Sequence, residues 1–360
     1  MKRIRVVTIL IVGLAAAVFA QSPQAIVLVT LDGARTEEMF GGFDAEIVKA
    51  GLKPNQRLED QPLYKRFWAA TAEERRARLM PFFWGTLMRD HGSVAGNPAK
   101  GSRVHLTNGH WFSYPGYSEI LVGRAHDDTI KSNEPLRNPY PTVLEFLKQN
   151  AGLTKDQVAA FASWDVFNAI AEHTDGALTV NAGFEAFDSP NEEVRRQSRL
   201  QFETPTPWDS VRHDAYTFRF AMDHMARHKP RVLYLALGET DDWAHDGRYD
   251  RVLETYTKTD DYLRQLWTWL QSQPEYRGRT HILITTDHGR GRTPKDWKDH
   301  GKDVVGAGET WMAFVSPSMP RRGEWSGHAP LTAAQAAATL IKWSGGDWTK
   351  FDAAAAPPVH

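Results

Sequence analysis

Acidic residues follow three of the most apolar segments of the chain, near the point where each segment ends. Asp32 comes directly after AIVLVTL, Asp287 comes directly after HILITT, and Asp241 lies four positions beyond VLYLAL. The carboxyl ends of parallel strands border the ligand crevice of an open α/β sheet, so these three carboxylates are expected to converge. Carboxylates held together repel one another, and a cation must offset their charge. Each aspartate taken alone is equally compatible with a turn or a helix cap.

Histidines accompany two of these aspartates at spacings typical of metal ligands. His245 follows Asp241 by four positions, which places both on one face if the segment is helical. His288 directly follows Asp287, and His300 comes later in a polar loop. Mixed histidine and aspartate ligands without sulfur suit zinc, manganese or iron, whereas calcium prefers oxygen alone.

A candidate nucleophile lies between the first and second aspartates. Ser113 precedes Pro115, which is tolerated in the first turn of a helix, and the apolar residues Ile120–Val122 continue in helical fashion. The unpaired N–H groups and the dipole at a helix N-terminus favour an alkoxide and an incoming anion. A metal bound to the same oxygen would lower its pKa further. The alternative is that Ser113 only caps the helix.

The elements that must position these residues follow from the apolar pattern. Six segments are predicted to be buried strands: Ala25–Leu31, Gly92–Ala95, Ala159–Ser163, Val232–Leu237, His281–Thr286 and Trp311–Val315. Four are predicted to be helices: Pro81–Arg89, Thr142–Gln149, Val211–Arg227 and Tyr249–Ser272. Strands that alternate with helices predict an α/β fold, a doubly wound and mostly parallel sheet with helices on both faces.

Polar segments and the chain ends complete the predicted organisation. Residues 21–348 are predicted to form one α/β domain, with cap insertions at about 41–80 and 173–210 that are rich in turn residues. The Ala/Pro-rich residues 349–360 are predicted to be a flexible tail.

Residues 1–20 have the pattern of a signal peptide. Lys2, Arg3 and Arg5 are followed by the apolar run Val6–Phe19, and small residues favour cleavage after Ala20. The apolar run is shorter than the roughly 20 residues that span a bilayer. The prediction is therefore a periplasmic or secreted protein without a stable membrane anchor after cleavage.

Composition excludes several classes of function. The chain has no cysteine, which excludes disulfides, thiolate zinc sites and cysteine nucleophiles. It has 43 basic and 44 acidic residues, so its surface offers no general field for a polyanion, and binding of a nucleic-acid polymer is not expected.

The order of the motifs resembles that of the alkaline phosphatase superfamily over nearly the whole chain after residue 20. A strand-end Asp comes first, followed by Ser-x-Pro before a helix that ends in Leu-x-Gly, then D-x-x-x-H, D-H-G and a late histidine. In motif style the chain is nearest to nucleotide pyrophosphatases/phosphodiesterases. The resemblance implies two divalent metal ions, with zinc expected first and manganese or iron as alternatives. One ion would be held by Asp241, His245 and His300, and the other by Asp32, Asp287, His288 and the Ser113 oxygen.

Two positions depart from the patterns of these relatives. Gly116 stands where phosphodiesterases usually have an Asn that helps to hold the phosphoryl oxygen. Tyr117 stands where sulfatases have Arg, although the spacing from Ser113 to Gly123 fits. His328, in Ser-Gly-His, is kept as a reserve for the late metal ligand.

The resemblance implies an exported two-metal hydrolase of a small-molecule phosphate ester, either mono- or diester, with Ser113 as the nucleophile. One alternative is a sulfatase of the same superfamily. Another is a non-catalytic exported protein that binds phosphate or metal.

Overall fold

An eight-stranded sheet forms the centre of the computed structural model, which describes residues 25–359. The strands are β1 (Ala25–Leu31), β2 (Gly92–Ala95), β3 (Val104–His105), β4 (Val158–Ala162), β5 (Thr179–Ala182), β6 (Val232–Leu237), β7 (Thr280–Thr285), β8 (Glu309–Thr310), β9 (Met312–Val315), β10 (Gly323–Glu324) and β11 (Leu331–Thr332). The large sheet has the order β10-β2-β9-β7-β1-β6-β4-β5, and β11-β3-β8 form a small second sheet. The predicted signal peptide lies outside the described residues.

The large sheet is mostly parallel, as the apolar pattern predicts. Strand β1 is parallel to both of its neighbours, β6 and β7, and Ile26 stands opposite Val232 and His281. Strand β9 is the exception, since it is antiparallel to β7 and β2. Every residue of β1 is buried, because both faces of the sheet are covered, and this explains its continuous apolar run.

Helices cover both faces. They are α1 (Ala45–Ala50), α2 (Pro62–Phe67), α3 (Ala72–Leu79), α4 (Ser113–Val122), α5 (Val143–Asn150), α6 (Phe167–Ile170), α7 (Glu192–Glu203), α8 (Asp214–His228), α9 (Glu239–His245), α10 (Tyr249–Ser272) and α11 (Gln335–Trp343). Short 3₁₀ turns are Leu58–Asp60, Pro98–Lys100, Lys155–Gln157 and Trp348–Lys350. Two π-helical segments are Glu37–Gly41 and Phe83–His91. Helix α10 has the predicted bounds, and the other predicted helices are shifted at their ends.

The core is divided by the sheet into two apolar clusters. Val27, Val29 and Leu31 point into the cluster that contains α8 and α10. Ile26 and Leu28 point into the cluster that contains α4, α5 and α11. Alternate residues of one strand thus reach opposite layers, and the sheet is held on both sides.

Two predictions about the peripheral segments need correction. The segment 173–210 is more than a cap, because it contributes the edge strand β5 as well as α7. The predicted flexible tail instead packs onto the domain as far as residue 359, with Ala355 and Val359 buried. The Val359 N–H donates to the Thr339 hydroxyl at 3.0 Å, and the Ala356 N–H donates to the Gly123 carbonyl at 2.9 Å. Apolar side chains and paired backbone groups fix this end of the chain.

Within residues 25–359, no helix combines the length and the apolar character that crossing a membrane requires.

Candidate active site

Three neighbouring strands deliver the three aspartates to one edge of the sheet. Asp32 directly follows β1, and its backbone N–H donates to the Leu237 carbonyl at the end of β6. Asp241 lies in the first turn of α9, which begins just beyond β6, and Asp287 lies two residues beyond β7. Because β6, β1 and β7 are adjacent and parallel, the three side chains meet at their carboxyl ends.

One group of possible metal ligands consists of Asp32, Asp287 and His288, whose ligand atoms lie within 4.8 Å of one another. Nε2 of His288 is 3.3 Å from Oδ1 of Asp32 and 3.5 Å from Oδ2 of Asp287. The Oγ atom of Ser113 is 3.4 Å from the same His288 nitrogen. The structure therefore brings together the four residues that the resemblance places around one ion.

A second group consists of Asp241, His288 and His300. His245 adjoins it, since its Nε2 is 3.1 Å from Oδ2 of Asp241 and 3.0 Å from Nε2 of His300. Helix α9 produces the first of these contacts by placing Asp241 and His245 one turn apart. His288 also lies 3.6 Å from Asp241, so it stands between the two groups instead of belonging to one.

Unpaired buried atoms provide a test of whether these residues fit a metal. Oδ1 of Asp32, Oδ2 of Asp287 and Nδ1 of His300 are buried and have no hydrogen-bond partner among residues 25–359. Leaving one such atom unpaired costs about 1–3 kcal/mol, and more when the group is charged. The side chains fit divalent cations, which would pair with the carboxylate oxygens.

The pKa shifts have the same cause. Burial raises the pKa of Asp32 well above its usual value, and the charge of Asp241 adds to the effect. Burial and the charge of Asp32 likewise raise the pKa of Asp287. Burial, together with the neighbouring His288, lowers the pKa of His300 to about 2, so its ring is neutral at neutral pH. Neutral imidazole is the form that binds metals.

Arg290 is a site residue that the sequence analysis does not identify. Its side chain is buried and pairs with Asp241. Burial tends to raise the pKa of Asp241, but Arg290 and His245 hold that pKa well below its usual range. The feature of the sequence that could indicate Arg290 is its position directly after D-H-G, where a basic residue follows a buried strand.

Ser113 is the first residue of α4 and does not cap it. Phe112 occupies the cap position with extended backbone, and no side chain caps the helix. The cap interpretation of Ser113 is therefore wrong, and its hydroxyl is directed towards His288. Two residues earlier, Trp111 has φ +53°, and its N–H donates to Oδ1 of Asn108 at 3.1 Å. This left-handed turn, which costs about 1–3 kcal/mol, sets the entry of the chain into the helix.

Two residues of α4 depart from the patterns of related families, and both make close contacts with the candidate site. They are Gly116 and Tyr117. A Cβ atom at Gly116 would lie 2.1 Å from the Asp287 carbonyl oxygen, so no larger residue fits there without a shift. Tyr117 is buried, and its hydroxyl donates to Oδ2 of Asp32 at 2.9 Å. The lack of a side chain at Gly116 lets α4 approach the D-H-G loop, and the hydroxyl of Tyr117 orients the candidate ligand Asp32.

The reserve ligand His328 lies outside both groups. Its Nε2 is 2.6 Å from the Ser102 hydroxyl, and its ring packs on Trp325 at 5.1 Å between ring centroids. The structure places His300 with the other candidate ligands and His328 elsewhere.

A cavity of about 790 Å³ opens at the same edge of the sheet. It lies among the segments that follow β1, β2 and β7, and these three strands run in the same direction. The insertion 41–80 forms one wall of the cavity. Its lining includes Thr36, Glu37, Phe43, Trp68, Lys100 and Arg292. The cavity offers space for a bound group, and its lining includes none of the candidate metal ligands.

Comparison with known proteins decides the family. The sequence profile of the type I phosphodiesterase/nucleotide pyrophosphatase family matches residues 49–338. The chain belongs to this family. The matched region includes Ser113 and every candidate ligand except Asp32, which precedes it. No curated protein sequence matches the chain.

Solved structures show the same fold at low sequence identity. The phosphonate monoester hydrolase SpPMH from Silicibacter pomeroyi has 12% identity and a TM-score of 0.55, covering 90% of this chain and 74% of that one. The lipoteichoic acid synthase LtaP from Listeria monocytogenes has 9% identity and a TM-score of 0.54, covering 90% and 72%. A 2-O GAG sulfatase has 12% identity and a TM-score of 0.52, covering 90% and 71%. These neighbours share the α/β fold of the chain, and the family match makes it a member of the phosphodiesterase branch of the alkaline phosphatase superfamily.

Proposed function

We propose that this protein hydrolyses phosphate esters of small molecules, with Ser113 as the nucleophile and two divalent metal ions as cofactors. The position of Ser113 carries the proposal. Its hydroxyl stands at the start of α4 without a capping role, 3.4 Å from Nε2 of His288, and that nitrogen lies within 3.6 Å of three buried carboxylates.

The reaction follows from the chemistry of these residues. Oγ of Ser113 loses its proton to solvent and attacks phosphorus in line. The ester oxygen leaves with its electron pair, takes up a proton from solvent and departs as the alcohol, and a phosphoseryl intermediate forms. Water then attacks the same phosphorus, which releases the product and restores the serine. The ions, when bound, would stabilise charge on the phosphoryl and leaving oxygens and lower the pKa of the serine hydroxyl. The positive end of the α4 dipole also favours the anionic phosphoryl group.

The proposed ligands form two sets that meet at His288. Asp241, His245 and His300 are assigned to one ion, and Asp32, Asp287 and His288 to the other, together with the Ser113 oxygen. Oxygen and imidazole donors without sulfur support zinc first, with manganese or iron as alternatives.

Phosphate is preferred to sulfate as the group transferred. Sulfatases of this superfamily need a formylglycine in place of the nucleophile and an Arg at the position of Tyr117. Tyr117 is committed to its hydrogen bond with Asp32, which supports an unmodified serine. The basic and apolar residues 1–20 support export to the periplasm or the medium.

A substrate panel on the metal-loaded enzyme tests the proposal. We expect hydrolysis of p-nitrophenyl phosphate or bis-p-nitrophenyl phosphate, and little of phenylphosphonate or sulfate esters. Ser113→Ala should lower kcat by about 10³-fold or more while metal content is retained. Ser118→Ala, which removes a buried hydroxyl from the same helix, is the control and should remain active.

Three outcomes would contradict the proposal. Full activity of Ser113→Ala would exclude this nucleophile. A best rate on sulfate esters, with Ser113 oxidised to formylglycine, would identify a sulfatase. Binding of phosphate with no product from any ester would indicate a binding protein.

A further inference from the structure

We propose that Arg290 is a positioning residue that holds the ligands of the Asp241 metal set in place. The inference rests on the proposed metal-dependent function. Nη2 of Arg290 donates to the Asp241 carboxylate and, at 3.0 Å, to the Asp241 backbone carbonyl. Nη1 donates to the Lys298 carbonyl. One guanidinium therefore contacts two separate segments of the site.

These contacts link the segments that carry the ligands. Asp241 belongs to α9, which also carries His245. Lys298 lies two residues before His300, and Arg290 itself lies two residues after His288. The hydrogen bonds of Arg290 thus fix the relative positions of three ligand-bearing segments that are distant in sequence. Partners that hydrogen-bond to a metal ligand commonly fix its orientation in this way.

The surroundings of the guanidinium are closely fitted. Arg290 is 1% exposed, so its side chain is shielded from solvent. A Cβ atom at Gly33 would lie 2.8 Å from Nε of Arg290 and 2.5 Å from Oδ1 of Asp241. Gly33 has φ +56°, a conformation that favours glycine. The loop after β1 therefore leaves space only for the arginine and the aspartate that it contacts.

Lysine cannot reproduce this arrangement. The guanidinium directs several N–H donors in a rigid plane, whereas an ammonium group is a single point at the end of a flexible chain. A lysine keeps the positive charge but cannot reach the Asp241 carboxylate and the Lys298 carbonyl with separate donors in fixed geometry.

Two effects of Arg290 on metal binding have opposite signs. Its positive charge repels a divalent cation, which weakens binding. Its hydrogen bonds hold the Asp241 carboxylate in one orientation, which strengthens binding. If positioning dominates, removal of Arg290 lowers the metal affinity, and if repulsion dominates, removal raises it.

The experiment measures metal affinity without reference to catalysis. Metal-free wild type, Arg290→Met, Arg290→Lys and Arg292→Met are titrated with zinc against a chromophoric chelator. Arg292 is the matched control, because it lies two residues away and pairs with Glu37 and Glu309 instead of a candidate ligand. Circular dichroism of each metal-free variant establishes that it is folded.

We expect Arg290→Met to bind one of the two ions about 10–100-fold more weakly, with the other ion less affected. Arg290→Lys should also bind weakly, and Arg292→Met should match the wild type. If Arg290→Met fails to fold, Arg290→Lys carries the test.

Unchanged or higher affinity in Arg290→Met, or wild-type affinity in Arg290→Lys, would overturn the positioning role. A wild type that binds two ions but hydrolyses no phosphate ester would overturn the proposed function instead. The two failures are therefore distinguishable.

Discussion

The candidate ligand Asp32 accepts a hydrogen bond from α4, the helix that carries the proposed nucleophile. Tyr117 lies one turn beyond Ser113, and its hydroxyl donates to Asp32, which is 85 positions away in sequence. The same carboxylate lies near His288, so one hydrogen bond connects the proposed nucleophile helix with a proposed metal ligand. A change at Tyr117 should consequently affect the titration of the site.

Tyr117→Phe should shift the acidic limb of the pH–rate profile to higher pH. The Tyr117 hydrogen bond lowers the otherwise raised pKa of Asp32, so its loss raises that pKa further and favours the protonated form that cannot bind a cation. Loss of a bond to a charged group is worth about 1.5 kcal/mol, or roughly tenfold in kcat/KM on that limb.

Tyr114→Phe is the control, because the Tyr114 hydroxyl donates to the Leu136 carbonyl at 2.6 Å and not to a site residue. Superimposable acidic limbs for wild type and Tyr117→Phe would contradict this account of Asp32.

The individual site residues differ in how well the sequence predicts them. Asp32, Asp241 and Asp287 are accessible to prediction because a strand end brings each of them to a known edge of the sheet. Arg290 and Tyr117 are not, because each acts on an aspartate 49 or 85 positions away, and nothing in their local sequence indicates that partner. Long-range hydrogen bonds of this kind require the fold.

At the scale of elements, length and periodicity decide what the sequence predicts. Helix α10 is predicted with its correct bounds because 24 residues carry a sustained helical pattern. Strand β5 is missed because it has four residues, of which two are only partly buried. A helix is predicted at Pro81–Arg89, and the structure instead has a π-helix at Phe83–His91. Its first N–H groups are bound by the Asp260 carboxylate, which is remote in sequence.

The contact between α4 and the D-H-G loop allows a test of element packing. Gly116→Ala places a methyl group against the Asp287 carbonyl, where the ideal Cβ would lie 2.1 Å from the oxygen. We expect a loss of about 1–3 kcal/mol in the free energy of unfolding, measured by denaturant titration, and weaker metal binding because Asp287 is displaced.

Gly85→Ala provides the comparison, since a Cβ at Gly85 meets nothing within 4 Å. If the two variants were equally stable, the close approach of α4 to the loop would not be a constraint on this helix.

For the whole molecule, the buried carboxylates would couple stability to the binding of the proposed metal ions. Deprotonation of Asp32, Asp241 and Asp287 places three negative charges close together. Arg290 pairs with one of them, Asp241. Ions that bind only the folded state stabilise it by mass action. The chain has no disulfide to replace this contribution. A chelator should therefore lower the Tm of the metal-loaded protein.

Asp287→Asn should raise the Tm of the metal-free protein at pH 8 and abolish much of the increase that metal produces. Burial raises the pKa of Asp287 in the folded state. The contribution of this group to the free energy of unfolding is therefore fully present at pH values below its unfolded-state pKa, and it is lost as pH rises through its folded-state pKa. Asn cannot ionise, and its side-chain oxygen can still accept the Gly33 N–H that Asp287 accepts at 3.1 Å.

The Tm difference between Asp287→Asn and wild type should shrink from pH 8 towards pH 4. Asp303→Asn, at an exposed position, serves as the control and should show no such dependence. A metal-free Asp287→Asn that is less stable than wild type at pH 8 would refute the charge argument.

The stereochemical course at phosphorus shows directly whether Ser113 is the nucleophile. Hydrolysis of a chiral phosphorothioate ester in isotopically labelled water reports whether water or the enzyme attacks first. Attack by Ser113 followed by attack of water inverts phosphorus twice, so we expect net retention of configuration. Net inversion would show a single direct displacement by water and would contradict Ser113 as the nucleophile.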